Sequence, residues 1–189
     1  MNDYNPCMSD FYTGNGDEGF TGLLGEGRIT KYHLRMEAVG TVDEATAALG
    51  VARAACQQSK TKDILLIVQR DLYHLMAEIS STPQNAARFR VIDAGRVAWL
   101  EAQADAIGPL VNMPKEFIIP GDSPVGAALD LARTIVRRAE RLNAQLFHNL
   151  EIENPEILRY LNRLSSLCFV LELFENRAAG LDTPTLAKE

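Results

Sequence analysis

The sequence predicts an all-α protein, a bundle of five helices. Apolar residues recur near the helical period through five stretches between residues 35 and 177. Prolines fall between those stretches or at their starts, where a missing N–H does no harm. No run alternates apolar and polar residues as a half-buried strand does, so no strand is expected.

The first helix is expected from about Arg35, with Met36, Val39, Val42, Ala48, Val51, Ala52 and Ala55 in its stripe. The second runs from about Thr61 to Ser80 around Leu65, Val68, Leu72, Leu75 and Ile79, and Pro83 stops it. The third spans Arg90 to Ile107. A break follows from Gly108 to Ser123, where Pro109, Pro114, Pro120 and Gly121 surround the apolar run Phe117-Ile118-Ile119. Ser123-Pro124 reads as an N-cap followed by proline at the first helical position, and the fourth helix continues to about Asn149. Asn154-Pro155 repeats that signal for a fifth helix ending near Asn176. Residues after Gly180 are expected to fray.

A chain of 189 residues, 47 % hydrophobic and 23 % charged, suits one domain with a sizeable core. It divides into a flexible glycine-rich segment (1–32), the bundle (35–177) and a tail (178–189). The net charge of -6 disfavours nucleic-acid binding. No apolar run approaches the ~20 residues of a membrane span. The N-terminus is neither basic nor apolar enough for a secretory signal, so the cytoplasm is the expected location. Cys7, Cys56 and Cys168 are too far apart in sequence for a metal knuckle. Cys56 and Cys168 are expected as buried thiols in a reducing compartment.

The fourth helix carries the most chemistry. Arg133, Arg137 and Arg141 are spaced by four and share one face, with Leu131, Ile135, Ala139 and Leu142 expected on the apolar side. Like charges at that spacing repel. The row therefore either faces an anion or is a solvated face paired with acids such as Asp43 and Glu44. Six of the 13 glycines lie between Gly14 and Gly27. That loop lacks the Gly-Lys-Ser/Thr ending of a P-loop. It is either a set of turns or a nest of N–H groups for phosphate, with Arg28 and Lys31 near enough to add charge. Asn162, in an apolar helix, needs partners for its amide: a structural hydrogen bond or a ligand. Spacing alone reaches a helical scaffold that holds a nucleoside triphosphate.

The ordered elements resemble the PduO-type ATP:cob(I)alamin adenosyltransferase family from about Tyr12 to Asn176. The Tyr-Thr-x-x-Gly-Asp-x-Gly-x-Thr loop is met by Tyr12, Thr13, Gly16, Asp17, Gly19 and Thr21, and is followed by Lys31 and Arg35-Met36-Glu37-Ala38. Then come Gly40-Thr41-Val42-Asp43-Glu44, Gln69-Arg70-Asp71-Leu72 and Phe117-Ile118-Ile119-Pro120-Gly121. The Ala132–Arg141 helix and Tyr160–Ser165 are complete, and Asn176 follows. The chain departs from the pattern at Gly14, Asn15, Phe20 and Val39.

The resemblance implies a homotrimer of five-helix subunits with ferritin-like up-and-down packing and active sites between subunits. It implies MgATP as donor and cobalamin or another corrinoid as acceptor. Thr13, Gly16, Asp17, Gly19, Thr21 and Lys31 are the implied nucleotide contacts, with Arg137 on the phosphates and Glu140 and Asn162 at the nucleoside. Asp43 and Arg133 are implied to pair across the interface. Phe117 is implied to displace the lower cobalt ligand; its residue-level alternative is a plug of the bundle core. Mg²⁺ enters through ATP rather than through side chains. A reductase and an adenosylcobalamin-dependent client enzyme are implied partners. The alternative functions are an ATP- or corrinoid-binding carrier or sensor with little turnover, and a trimeric scaffold without ATP.

Overall fold

The computed structural model describes residue 12 and residues 14–188. Thr13 and Cys7 lie outside the described residues. The described chain folds as β1 (Phe20–Gly22), β2 (Arg28–Thr30), α1 (Leu34–Ala55), α2 (Ser59–Ser80), α3 (Pro83–Phe89), α4 (Ala94–Ile107), α5 (Pro124–His148) and α6 (Glu156–Ala178), with one 3-10 turn at Gly108–Leu110.

Three expectations are corrected. The glycine-rich segment contains an antiparallel hairpin, pairing Phe20 with Thr30, Thr21 with Ile29 and Gly22 with Arg28. Its three-residue strands are too short to display an alternating pattern. Gly25 and Gly27, at φ 140° and 104°, allow the reversal between them. Pro83 not only ends the second helix; it also begins the short α3. The C-terminal tail is tied down. Ile118 and Leu186 form an antiparallel bridge. The Ile119 N–H donates to the Thr185 carbonyl (2.8 Å) and the Ala187 N–H to the Phe117 carbonyl (2.7 Å). Asp122 accepts from the Thr185 N–H (3.1 Å) and hydroxyl (2.6 Å).

Helix starts follow local chemistry. Ser123 Oγ accepts from the Gly126 N–H (3.0 Å) at the start of α5, and Asn154 Oδ1 accepts from the Glu156 N–H (3.1 Å) at the start of α6. Asp93 does the same for α4 through the Arg96 N–H at 2.8 Å, so that helix starts at Ala94 rather than Arg90. The start of α2 is capped from far away in sequence. Glu175 of α6 accepts from the N–H groups of Gln57 (3.0 Å) and Gln58 (3.2 Å), setting a carboxylate at the positive end of the helix dipole.

The core lies between α1, α5 and α6, with α2 on α1 and α4 on α6. Small and medium residues at heptad-like spacing line α1: Ala38, Val42, Ala45, Leu49 and Ala52 are all buried. On α5 the buried line is Leu129, Ala132, Val136, Ala139, Asn143 and Leu146. Ala139 joins the core as expected, and Ile135 and Leu142 pack against it. Leu131 does not: it is 58 % exposed, because the buried line is turned toward Ala132. At Gly126 α5 and α6 come so close that a β-carbon would stand 2.4 Å from Asn176 Oδ1.

Buried polar groups lock the helices. Arg35 donates to the carbonyls of Ile79 (2.6 Å) and Glu151 (2.7 Å), joining the end of α2 to the α5–α6 connection. Asp71, 4 % exposed, accepts from the Tyr160 hydroxyl at 2.7 Å and from Arg96 Nε at 3.1 Å. Burial first, then the Asp71 carboxylate, holds the Tyr160 phenol well above its ordinary pKa. Asp71→Ala strands a guanidinium and a buried hydroxyl together. It is expected to cost about 3 kcal/mol, read from the midpoint of urea unfolding.

Candidate functional site

The connection between α4 and α5 forms one wall of a cavity of about 620 Å³. Met113, Phe117, Ile118 and Pro120 line that wall. Asp130, Arg133 and Arg137 come from α5, and Ser165, Ser166, Phe169 and Val170 from α6. One side is therefore apolar and the other carries two guanidinium groups, an arrangement suited to a large amphiphilic ligand beside an anion.

Phe117 is 88 % exposed. It is not a core plug. The tail strand fixes its backbone while its ring stands free at the cavity mouth.

The arginine row divides. Arg133 Nε donates to Asp130 Oδ1 at 2.7 Å, an i,i+3 pair on α5. Arg137 lines the same cavity and is exposed, and its side chain makes no hydrogen bond or ion pair with another described residue. Arg141 is exposed and outside the cavity lining. Glu44 takes Arg138, which is not in the row, as its ion-pair partner. Asp43 is exposed on α1 and has no ion-pair partner among the described residues of its own chain.

Asn162 is satisfied within the chain. Its Nδ2 donates to Glu140 Oε1 (2.9 Å), and its Oδ1 accepts from Arg163 (2.8 Å), which also donates to Glu101 (2.8 Å). Glu140 and Asn162 thus meet between α5 and α6, outside the cavity lining.

The glycine loop is folded. Gly14 and Gly19 take φ 71° and 81°. The Asp17 N–H donates to the Gly14 carbonyl and the Gly19 N–H to the Gly16 carbonyl, both at 3.1 Å. Lys31 lies against Gly16, where a β-carbon would come within 2.8 Å of Nζ. Gly16, Gly19 and Lys31 are thereby gathered, with Asp17 between the glycines and Thr21 in β1. None of these five lines the cavity. Arg35 anchors the start of α1 beside Glu151, and hence near the His148 end of α5. Eleven residues separate that end from Arg137, roughly 16 Å along the axis.

Several residues near the cavity gave little sequence signal. Asp130 was discoverable only as an acid three positions before Arg133. Glu172 sits within the run Leu171–Leu173 and is 1 % exposed, with no hydrogen-bond partner for Oε2 among the described residues. Its pKa is pushed up to about 7, first by burial and then by Asp130, with Arg133 opposing and Asp122 adding.

Comparison with known proteins decides the family. The sequence profile described as cobalamin adenosyltransferase matches residues 11–175. The chain belongs to the cobalamin adenosyltransferase family. A corrinoid adenosyltransferase of Citrobacter freundii is 38 % identical over 173 residues, covering 89 % of this chain and 96 % of the relative. The corrinoid adenosyltransferase PduO of the same organism is 36 % identical over 169 residues, covering 89 % of this chain. This chain spans 50 % of that PduO relative, about half its length. Among solved structures, a variant PduO-type ATP:corrinoid adenosyltransferase from Lactobacillus reuteri, complexed with cobalamin and ATP, superposes with a TM-score of 0.85 at 30 % identity. That match covers 95 % of this chain and 100 % of the other.

The buried carboxyl yields a pH prediction. Glu172 is neutral in the folded protein up to about pH 7, whereas an unfolded glutamate ionises near 4.5. The folded pKa is the higher one, so this stabilisation is full below about pH 4.5 and lost as pH rises through about 7. Against Glu172→Gln, the wild-type melting temperature is expected to fall by a few degrees more between pH 5 and pH 8. Parallel melting curves for the two proteins across that range contradict this.

Proposed function

We propose that this protein transfers the 5′-deoxyadenosyl group of ATP to the Co(I) of cobalamin or another corrinoid, releasing triphosphate. The observation that carries the reading is the cavity between an exposed Phe117 and an unpaired Arg137 in a chain of this family. The electron pair of Co(I) forms the bond to the ribose 5′-carbon while the bond from that carbon to oxygen breaks. Triphosphate leaves with that pair. The nucleophile carries no proton, so no general base is needed.

Negative charge gathers on the leaving oxygen, and Arg137 and Lys31 are the groups we assign to it. Mg²⁺ carried in on the triphosphate would supply further neutralisation. Among the described residues no group of three or more His, Cys, Asp or Glu side chains is arranged to hold a metal. The apolar wall with Phe117 is assigned to the corrinoid, where the ring excludes a lower axial ligand from cobalt. Gly16, Asp17, Gly19 and Thr21 are assigned to ATP, with Thr13 beside them in sequence, and Glu140 and Asn162 to positioning the nucleoside.

We infer a homotrimer with the site between subunits. Lys31 of one chain lies near the His148 end of α5, whereas Arg137 stands at the middle of that helix, roughly 16 Å away along the axis, so we assign the Lys31 that shares a triphosphate with Arg137 to a neighbouring copy. Asp43, which has no ion-pair partner among the described residues, is assigned to Arg133 of that neighbour, whose Nη atoms make no hydrogen bond among the described residues. The exposed Leu131 of α5, at 58 %, also suits an interface. We assign the chain a single adenosyltransferase domain in the cytoplasm, with a reductase and an adenosylcobalamin-dependent client enzyme as its partners.

Incubation with MgATP and chemically reduced cobalamin under anaerobic conditions is expected to give light-sensitive adenosylcobalamin and free triphosphate. Tight binding without product selects the carrier reading instead. Arg137→Ala is expected to lower kcat by about a hundredfold or more, with an unchanged melting temperature because the side chain has no hydrogen-bond or ion-pair partner among the described residues. Full turnover by that variant overturns the assignment of Arg137.

A further inference from the structure

We propose that Arg28 is a positioning residue for the nucleotide loop. From β2 it holds the carbonyls of Asn15 and Phe20, and so turns the Gly16 N–H, across the Asn15 peptide, away from its guanidinium and toward phosphate near Lys31. The proposal rests on the ATP reading above.

Arg28 stands opposite Gly22 in the hairpin. With no side chain at Gly22, the guanidinium swings diagonally across the ladder to Phe20. There it lies 6.0 Å from the ring centroid, and Nη2 donates to the Phe20 carbonyl at 3.3 Å. The same Nη2 donates to the carbonyl of Asn15, 13 residues earlier in the chain. One guanidinium nitrogen, with two N–H groups fixed in the guanidinium plane, therefore grips the loop at both ends of its curl. The charge expected to point at phosphate is instead turned onto the loop's own backbone.

That grip has a geometric consequence. The described peptide bonds are trans, and in a trans peptide C=O and N–H point in opposite directions. Holding the Asn15 carbonyl toward Arg28 turns the Gly16 N–H away from it. The Gly19 carbonyl is held by the Lys31 N–H at 2.9 Å, which fixes the base of the lysine. Its ammonium then lies beside Gly16, where no β-carbon intervenes. Arg28 thus orders in advance an amide and a cation that ATP would otherwise have to order on binding.

The test is steady-state kinetics and calorimetry on the full chain, with MgATP varied at saturating cob(I)alamin, for wild type, Arg28→Gln and Arg28→Lys. Arg28→Gln is expected to raise KM and Kd for MgATP roughly tenfold. Its kcat at saturating ATP, KM for the corrinoid and melting temperature stay within experimental error of wild type, the pattern of lost binding rather than lost catalysis. Arg28→Lys keeps the charge but loses the planar guanidinium, with its fixed N–H directions and its contact over the Phe20 ring, and is expected to fall between the two. A wild-type KM for MgATP in Arg28→Gln overturns the proposal. So does full rescue by lysine, which makes the effect one of charge, and so does an equal loss in kcat and thermal stability. Failure of the wild type itself to bind MgATP or make product sinks the ATP reading, and the proposal with it.

Discussion

Everything in this structure depends on α5 having two incompatible sides. One side buries Ala132, Val136, Ala139 and Leu146 against α1 and α6. The other carries Arg133 and Arg137 into a cavity. Burying those apolar side chains fixes the rotation of the helix, and that rotation decides where the guanidinium groups point. The polar locks around it serve the same end. Ser123 both caps α5 and donates to Asn176 of α6 at 2.5 Å, so the cap also sets the axial register of the two helices. Gly126 then permits the close approach on which that register depends.

The opposite wall is built differently. Prolines exclude regular helix between α4 and α5, and the chain there obtains its order from the tail. Hydrogen bonds from 117–119 to 185–187, with Asp122 holding Thr185, give an irregular segment a fixed backbone. An aromatic side chain exposed on such a frame keeps its position without being buried. The site therefore combines a rigid cationic helix face with a pinned apolar loop, and nearby Glu172 has its pKa raised first by burial and then by neighbouring Asp130, against the opposing pull of Arg133.

Much of this was legible in the sequence because it is local. Ser123-Pro124 and Asn154 announced their helices, and the stripe of α2 needed only its own period. The four-residue arginine spacing gave the chemistry of α5, although Leu131 was assigned to the wrong side because several rotations of an amphipathic helix fit one pattern. What could not be read depends on distant residues. Glu175 caps α2 from more than a hundred positions away. Three-residue strands carry no periodic signal. The tail has no apolar repeat of its own and is ordered by backbone hydrogen bonds to a loop and by the Asp122 side chain on Thr185. Arg28 looked like spare positive charge, since nothing in the sequence says that Gly22 leaves its guanidinium a path to Phe20. That Lys31 and its glycine loop lie toward the His148 end of α5, away from Arg137 at its middle, became visible only in three dimensions.

The central claim is that triphosphate is held where Arg137 of one subunit meets the glycine loop of another. Structure determination of the assembled protein with MgATP and cob(II)alamin tests it directly. The account predicts phosphate oxygens bonded to Arg137 and to Lys31 of a neighbouring copy, with the corrinoid against Phe117. Nucleotide bound wholly within one chain, or bound while Arg137 faces open solvent, contradicts it.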